Sequence, residues 1–366
     1  MRPLTRFLSL FLFATTCMWT PALAADEATR TLRLELSSDP VLPFAVENLA
    51  GAFRVVPGSG EKVVAIATVH AESEDLARQV RFEQVRGEGG MSTLRVRYPL
   101  DRYSTFRYPI GDSESGIARI FGGSTSTDTK YDGHRVKVSS REGVLLYADV
   151  EVQLPRRQVQ ARFRNQAGNL HAERVDGKLG FDTGSGDVTL EKLRGEVRSD
   201  TGSGDVKAKD LEGSFVCDTG SGNCDLDGFK GDSITCDVGS GNVSIRSATA
   251  RRTRVDTGSG NVRAVESDME EFQADTGSGN VVLEAKGARL VRVAADTGSG
   301  DVTLRLAPDA TFEALADQGS GDMTVRYPDA TPILRHKEVV GYRRGDARMR
   351  ISVDTGSGDL LIEPGR

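Results

Sequence analysis

From Thr31 to about Pro155 apolar residues alternate with polar ones. Leu32, Leu34 and Leu36 follow this rhythm, as do Leu94 and Val96, Val136 and Val138, and Val150, Val152 and Leu154. Successive side chains of a strand point to opposite faces, so such runs predict half-buried strands. Beyond Ala161 the alternation locks to a repeat. The residue ahead of each repeated turn is Phe163, Phe181, Ser199, Cys217, Cys236, Val255, Ala274, Ala295, Ala316 or Val353, all apolar or small. The residue just after the turn runs Leu170, Val188, Val206, Cys224, Val243, Val262, Val281, Val302, Met323, Leu360. Two positions on come Ala172, Leu190, Ala208, Leu226, Ile245, Ala264, Leu283, Leu304, Val325 and Ile362, with polar residues such as Lys207 and Ser244 between. One face of each strand is core and the other meets water.

The turn itself is Asp182-Thr183-Gly184-Ser185-Gly186-Asp187, with near-copies opening at Asp200, Asp218, Asp237, Asp256, Asp275, Asp296, Asp317 and Asp354. Successive openings are 18, 18, 19, 19, 19, 21, 21 and 37 residues apart, the last close to two ordinary steps. A worn copy, Arg164 to Leu170, precedes the first, and Gly177, Gly195, Gly213 and Gly231 mark a second turn halfway round. A fixed period of this length means one unit stacked on itself. The predicted fold is all-β: a parallel β-solenoid, or β-helix, with coils of 18–21 residues and an irregular β N-terminal portion. About ten coils at about 4.8 Å each make a rod of roughly 50 Å. The predicted divisions are a signal peptide over 1–24, a β-rich region over 25–158 and the repetitive solenoid over 159–366. Val46 to Val55 is an early irregular coil, 102–133 a long loop, and 328–350 a coil with an excursion covering the end of the stack.

Arg2 and Arg6, an apolar run from Phe7 to Trp19, and Ala22-Leu23-Ala24 form the pattern of an export signal. Cleavage there would take two of the 47 basic residues and leave 45 against 53 acidic ones, a balance of −8. That balance argues against nucleic acid and against a general pull toward an anionic membrane. No later stretch approaches about 20 apolar residues, so no transmembrane segment is expected in the mature chain. Cys217, Cys224 and Cys236 stand in inward columns and read as small buried hydrophobes. A Cys217–Cys236 disulfide, one coil apart, is the less favoured reading, since three cysteines leave one over. His70, His134, His171 and His336 lack ligand spacing.

The turn offers tempting chemistry. Asp-Thr-Gly-Ser is the local signature of aspartic proteases, which need two facing carboxylates that share a proton. Seven intact copies at coil spacing make a column rather than a facing pair, and that rejects the protease. The opening Asp column could hold cations, with calcium the candidate cofactor, because stacked carboxylates repel by about 0.9 kcal/mol per neighbouring pair even in bulk water. The favoured reading has no cofactor: each Asp caps its own turn by accepting backbone N–H bonds, and Gly supplies the backbone angles that follow. The closing position runs Asp187, Asp205, Asn223, Asn242, Asn261, Asn280, Asp301, Asp322 and Asp359. Asn in the middle coils suits an uncharged amide ladder. These eighteen opening and closing residues are expected to be structural, with no catalytic or metal-binding residue among them. A polysaccharide-degrading β-helix would need clustered charged residues that break the repeat in a groove. The one basic irregularity, with Arg335, His336, Lys337, Arg343, Arg344, Arg348 and Arg350, lies in the insertion.

Val46-Glu47-Asn48-Leu49-Ala50-Gly51, Val150-Glu151-Val152-Gln153-Leu154-Pro155, the Thr-Gly-Ser-Gly-Asp-Val repeats and the closing Ile351 to Leu360 together carry a resemblance. The chain resembles the bacterial putative-adhesin family of unknown function. The family's members are exported or membrane-linked β-solenoids with a Leu-Pro element ahead of repeats ending in Ser-Gly-Asp and an aliphatic residue. The resemblance implies architecture and a surface or envelope role, and it carries over no functional residues. The expected protein is non-enzymatic, exported to the periplasm, outer membrane or exterior, and adhesin-like or scaffolding in role. Its partner would be an envelope component, a surface glycan or a protein. The alternatives are a carbohydrate-binding or carbohydrate-degrading β-helix and a calcium-stabilised repeat protein.

Overall fold

The computed structural model describes residues 27–36, 42–109 and 126–365. The signal-like segment lies outside these residues, as do residues 110–125. The architecture is a nearly all-β parallel solenoid, with one α-helical turn among the described residues, Glu74–Ala77, capped by Ser73. In the repeats, strands such as Val206–Thr219, Cys224–Val238, Val243–Thr257 and Val262–Thr276 pair in parallel, each residue on its own copy in the next coil. The predicted inward columns are the core: Phe163, Phe181, Cys217, Cys236, Val255 and Ala274 are buried, and the Phe163 and Phe181 rings stack 5.5 Å apart.

Each coil has three corners, one more than the sequence disclosed. At the third, Arg174, Lys192, Asp210, Ser247 and Glu266 all have φ between 52° and 55°, and Gly228 joins the series at 77°. Each is followed by a buried apolar residue: Val175, Leu193, Leu211, Phe229, Ala248 or, at the last, buried Ser267. Left-handed backbone in non-Gly residues costs roughly 1–2 kcal/mol each, which the stacking of coil on coil must offset. The change from 18- to 19-residue coils also has a local cause. Gly213 pairs with Gly231 but Ser214 pairs with Ser233, so Asp232 bulges out at the corner. The next coils repeat the bulge with Arg251 and Glu270. Arg251 meets Asp232 at 2.6 Å, and Arg289 meets Glu270 at 2.7 Å, so the bulge column is a run of alternating charge.

The first coil is Phe44–Ala50 with Phe53–Pro57. Glu47 pairs with Arg164, Asn48 with Asn165 and Phe53 with Leu170. Two further parallel strands extend its outer edges, and antiparallel strands cover those in turn. Ser92–Arg97 pairs with Phe44–Ala50 and with Arg81–Arg86. Val144–Leu154 pairs with Phe53–Pro57 and, antiparallel, with Val64–Ala71, whose other edge takes Ala28–Glu35. The stretch 102–133, expected as a long loop, instead contains strands Thr105–Arg107 and Ser126–Tyr131 among its described residues. Its Gly, Ser and Thr content hid them.

The C-terminal end departs from the expected order. Strand Met349–Thr355 pairs in parallel with Arg292–Thr297 on one side and Phe312–Gln318 on the other. Leu360–Pro364 likewise lies between Val302–Leu306 and Met323–Val325. The 37-residue step is therefore not two steps along the stack. Asp354 sits between Asp296 and Asp317, because the chain passes over one coil's thickness, builds the outermost coil and then returns beneath it. The segment 328–350, expected as a coil with an excursion, is a hairpin, Thr331–Arg335 with Glu338–Arg344, laid antiparallel on the outermost strand.

Candidate functional site: the stacked turn

Parallel register brings the eighteen opening and closing residues into two columns at one corner. In the closing column, each backbone N–H donates to the side-chain Oδ1 of the residue in the coil beneath. The chain of bonds runs Asn169, Asp187, Asp205, Asn223, Asn242, Asn261, Asn280, Asp301, Asp359 and Asp322, with every length between 2.8 and 3.0 Å. Asp and Asn share the acceptor oxygen that this bond requires, so either serves. In the middle coils the amide adds a second bond: Asn223 Nδ2 donates to Asp205, Asn242 to Asn223 and Asn261 to Asn242, at 3.1 to 3.3 Å.

The opening Asp does not cap its own turn. Among the described residues, no backbone N–H of the turn donates to Asp182, Asp200, Asp218 or their equivalents. These carboxylates face outward, and the nearest cations to the first three are Arg164, the register partner of Asp182 in the same column, and Arg198, two residues ahead of Asp200. Arg164 lies 3.4 Å from Asp182, and Arg198 lies 3.4 Å from Asp218 and 3.9 Å from Asp200. The Thr that follows seven of the nine opening Asp residues pins the turn instead. Thr276 Oγ1 donates to Gly260 O at 2.9 Å and accepts from Gly279 N at 3.1 Å, and the same pair of bonds recurs at Thr219, Thr257 and Thr297. Those hydroxyls are buried. The first coils use amides in this column. Asn48 Nδ2 bonds Ala50 O, Ala148 O and Asn165 Oδ1, and Asn165 Nδ2 bonds Gly51 O. The sequence reading missed this role, although Thr follows the opening Asp in seven of the nine copies. Thr276→Val keeps the shape but strands a buried carbonyl and a buried N–H, so it should cost about 1–3 kcal/mol in a urea melt. Val238 already occupies the column between Thr219 and Thr257, so the variant should still fold.

The glycines are needed for close approach more than for backbone angle. Of those preceding the closing residue, only Gly168 and Gly186, in the first two copies, have a left-handed φ, 113° and 142°. A methyl on Gly204, Gly222, Gly241, Gly260 or Gly279 would overlap the carbonyl oxygen of the glycine one coil back.

Burial, then the adjacent Asp200 and Asp237 charges, push the Asp218 carboxyl up. Burial and the Asp182 charge do the same to Asp200, as do burial and the Asp275 and Asp354 charges to Asp296. A carboxyl raised in the folded state binds protons more readily there than when unfolded. Its penalty is present above the folded pKa and is relieved as pH falls through it. Asp232, Asp329 and Asp346 are lowered by hydrogen bonds to Arg251, Arg344 and Thr311 respectively, so their support is lost only below the ordinary carboxylate range. The melting temperature should therefore rise as pH falls through the raised Asp200, Asp218 and Asp296 carboxyls, before the support of the lowered ones is lost. Asp218→Asn should raise it at neutral pH and flatten the profile.

Cys217, Cys224 and Cys236 are free and buried, and hydrogen bonding to Cys217 and Cys236, then burial, pushes the Cys224 thiol well up. The close neighbour of Cys236 is Cys224, with sulfurs 3.5 Å apart across the coil, although Cys217 pairs with it in register. Among the described residues no group of three or more His, Cys, Asp or Glu converges as metal ligands. His70 lies between Glu27 and Asp149, at 3.0 and 3.2 Å, stacked on Tyr147. Where Gly180 omits a side chain between Arg162 and Arg198, a shallow recess of about 360 Å³ opens beside Met91 and Pro43.

A family description, Toastrack DUF4097, matches residues 149–363. No curated protein matches the chain. Among solved structures, the chain is similar to a putative lipid binding protein from Parabacteroides distasonis, with 14% identity, 91% of this chain and 96% of that one covered, and a TM-score of 0.43. It is also similar to a putative adhesin from the same species, with 10% identity, coverage of 92% and 98%, and a TM-score of 0.40. A putative adhesin from Parabacteroides merdae gives 9% identity, coverage of 92% and 95%, and a TM-score of 0.39.

Proposed function

The chain belongs to the Toastrack DUF4097 family, and from that premise we propose a non-enzymatic, exported, adhesin-like β-solenoid that serves as a scaffold at the bacterial cell envelope. One observation carries the reading: the repeated turn is consumed by architecture. Its Thr, Gly and Asn side chains or backbones are bound or packed coil to coil, and its carboxylates stack side by side instead of meeting across a cleft. A carbohydrate-degrading β-helix finds less support. Sugar rings are commonly gripped on exposed aromatic faces, and the aromatics of the repeat strands, Phe163, Phe181, Phe215, Phe229 and Phe272, are buried. The partner is an envelope protein or glycan, and the recess over Gly180 is one place for it to seat.

The experiment is to express the full chain with its own leader in a Gram-negative host, fractionate the cells, and screen the mature chain against envelope proteins and glycans. Processing near Ala24 and recovery with the envelope are expected. An unprocessed chain in the cytosol would refute the envelope role, and hydrolysis of any screened glycan would refute the non-enzymatic one.

A further inference from the structure

The C-terminal cap concentrates what the rest of the rod disperses. Residues 326–350 carry seven Arg or Lys against three Asp or Glu, a balance of +4 in a chain whose net charge is −6. The whole-chain charge therefore conceals a basic island. Within it Arg335 and Lys337 are exposed, and neither has an ion pair among the described residues. Arg292 and Arg350 stand side by side in adjacent coils between Glu271 and Glu313, also exposed and without an ion pair among the described residues. Glu338 faces Arg335 across the hairpin, but the balance of +4 still lowers the free energy of binding an anion there.

The same end carries exposed apolar side chains. Leu334 is 62% exposed, Val339 51% and Leu315 43%. Leu334 and Val339 are register partners across the hairpin, and Leu315 pairs with Gly341 just inboard. The residues between Leu334 and Val340 lie past the last pair that the hairpin makes with the coil, so the tip projects from the stack. The turn at that tip is His336-Lys337, with φ of 53° and 74°. Two consecutive left-handed positions normally call for Asn-Gly or similar. Bulky residues there are strained, and such strain marks positions held for something other than stability.

We propose that this cap is a docking surface for an anionic lipid bilayer, with Leu334 and Val339 entering the headgroup boundary and Arg335, Lys337, Arg292 and Arg350 meeting lipid phosphates. Apolar side chains flanked by cations suit the interface: each exposed aliphatic gains by leaving water, and each cation gains near the negative surface. A second copy adding as a strand fits less well. The free edge of the outer strand carries Pro332, which cannot donate to a ladder, and Arg335, whose charge guards an edge. The cap would stand the rod end-on, leaving its long faces free for other partners.

The test uses the purified full-length mature chain and sedimentation with two sets of vesicles, phosphatidylcholine alone and phosphatidylcholine with phosphatidylglycerol. The chain is expected to pellet with the anionic vesicles only, and less at high salt. Arg335→Gln with Lys337→Gln should weaken that binding roughly thirtyfold. Leu334→Glu with Val339→Glu should weaken it at least about tenfold. Both pairs are exposed, so melting temperature should hold and show that the variants fold. No pelleting, equal pelleting with neutral vesicles, or unchanged binding of both variants would overturn the proposal. So would binding to a soluble polyanionic glycan in place of vesicles. The docking inference rests on the envelope reading only for the membrane the cap meets in the cell. A chain that binds anionic vesicles but fractionates away from the envelope refutes that reading alone. An envelope-bound chain that ignores the vesicles refutes docking alone.

Discussion

Deleting residues 349–366 is expected to unfold far more than one coil. The removed strands lie between two others on each face, so the loss strips Phe312–Gln318 of its parallel partner and Met323–Val325 of its one partner among the described residues. It also removes Met349, Ile351, Val353, Leu360 and Ile362 from the core. Burying such side chains stabilises by about 1.5–3 kcal/mol each, so five of them rival the whole stability of an ordinary domain, about 5–15 kcal/mol. The cap hairpin rests on Phe312–Gln318 and should go with it. Limited proteolysis or hydrogen exchange should show loss of protection throughout 307–348, while the coils before Ala285 stay protected, as neighbour-only contacts in a solenoid allow. Had the last coil been the outermost one, 307–348 would stay protected.

Gly260→Ala is expected to be among the most damaging single changes in the rod. The added methyl overlaps the carbonyl oxygen of Gly241, a backbone atom held by its own coil. The two coils must move apart, which loosens the two ladder bonds that Asn261 makes to Asn242 through its backbone N–H and its Nδ2. A cost of about 4 kcal/mol or more is expected, in the tail of single substitutions. Gly180→Ala is the contrast. Its new methyl would lie 3.6 Å from the Arg162 side chain, an ordinary contact, so that variant should be neutral or more stable by about 0.5–1 kcal/mol. Denaturant melts of the pair separate close approach from a mere shortage of glycine.

Much of this fold was legible because a parallel stack writes each column into the sequence once per coil. The apolar columns gave strands and core, the Gly-Ser-Gly turns gave the period, and the motif pointed to the family to which the chain belongs. The third corner stayed hidden, since its left-handed positions are Arg, Lys, Asp, Ser and Glu and leave no shared letter. The order of the last coils was hidden for a deeper reason. Every coil presents the same Asp, Thr and Gly columns on both edges, so the sequence of Met349–Thr355 is as compatible with a place between two coils as with one at the end. At the turn, the repetition of Asp drew attention that belonged equally to Thr. A local rule, the Asp capping its own turn, lost to contacts between coils: Thr183 Oγ1 donates to Gly168 O, a partner in the preceding coil.

The central claim is that the repeated acidic turn is architecture and holds no cation. The direct measurement is the melting temperature of the purified mature chain in calcium and in a chelator at equal ionic strength. The account predicts the same value in both, because the closing ladder and the buried Thr bonds need no metal. A melting temperature that rises several degrees with calcium and falls with the chelator would contradict it.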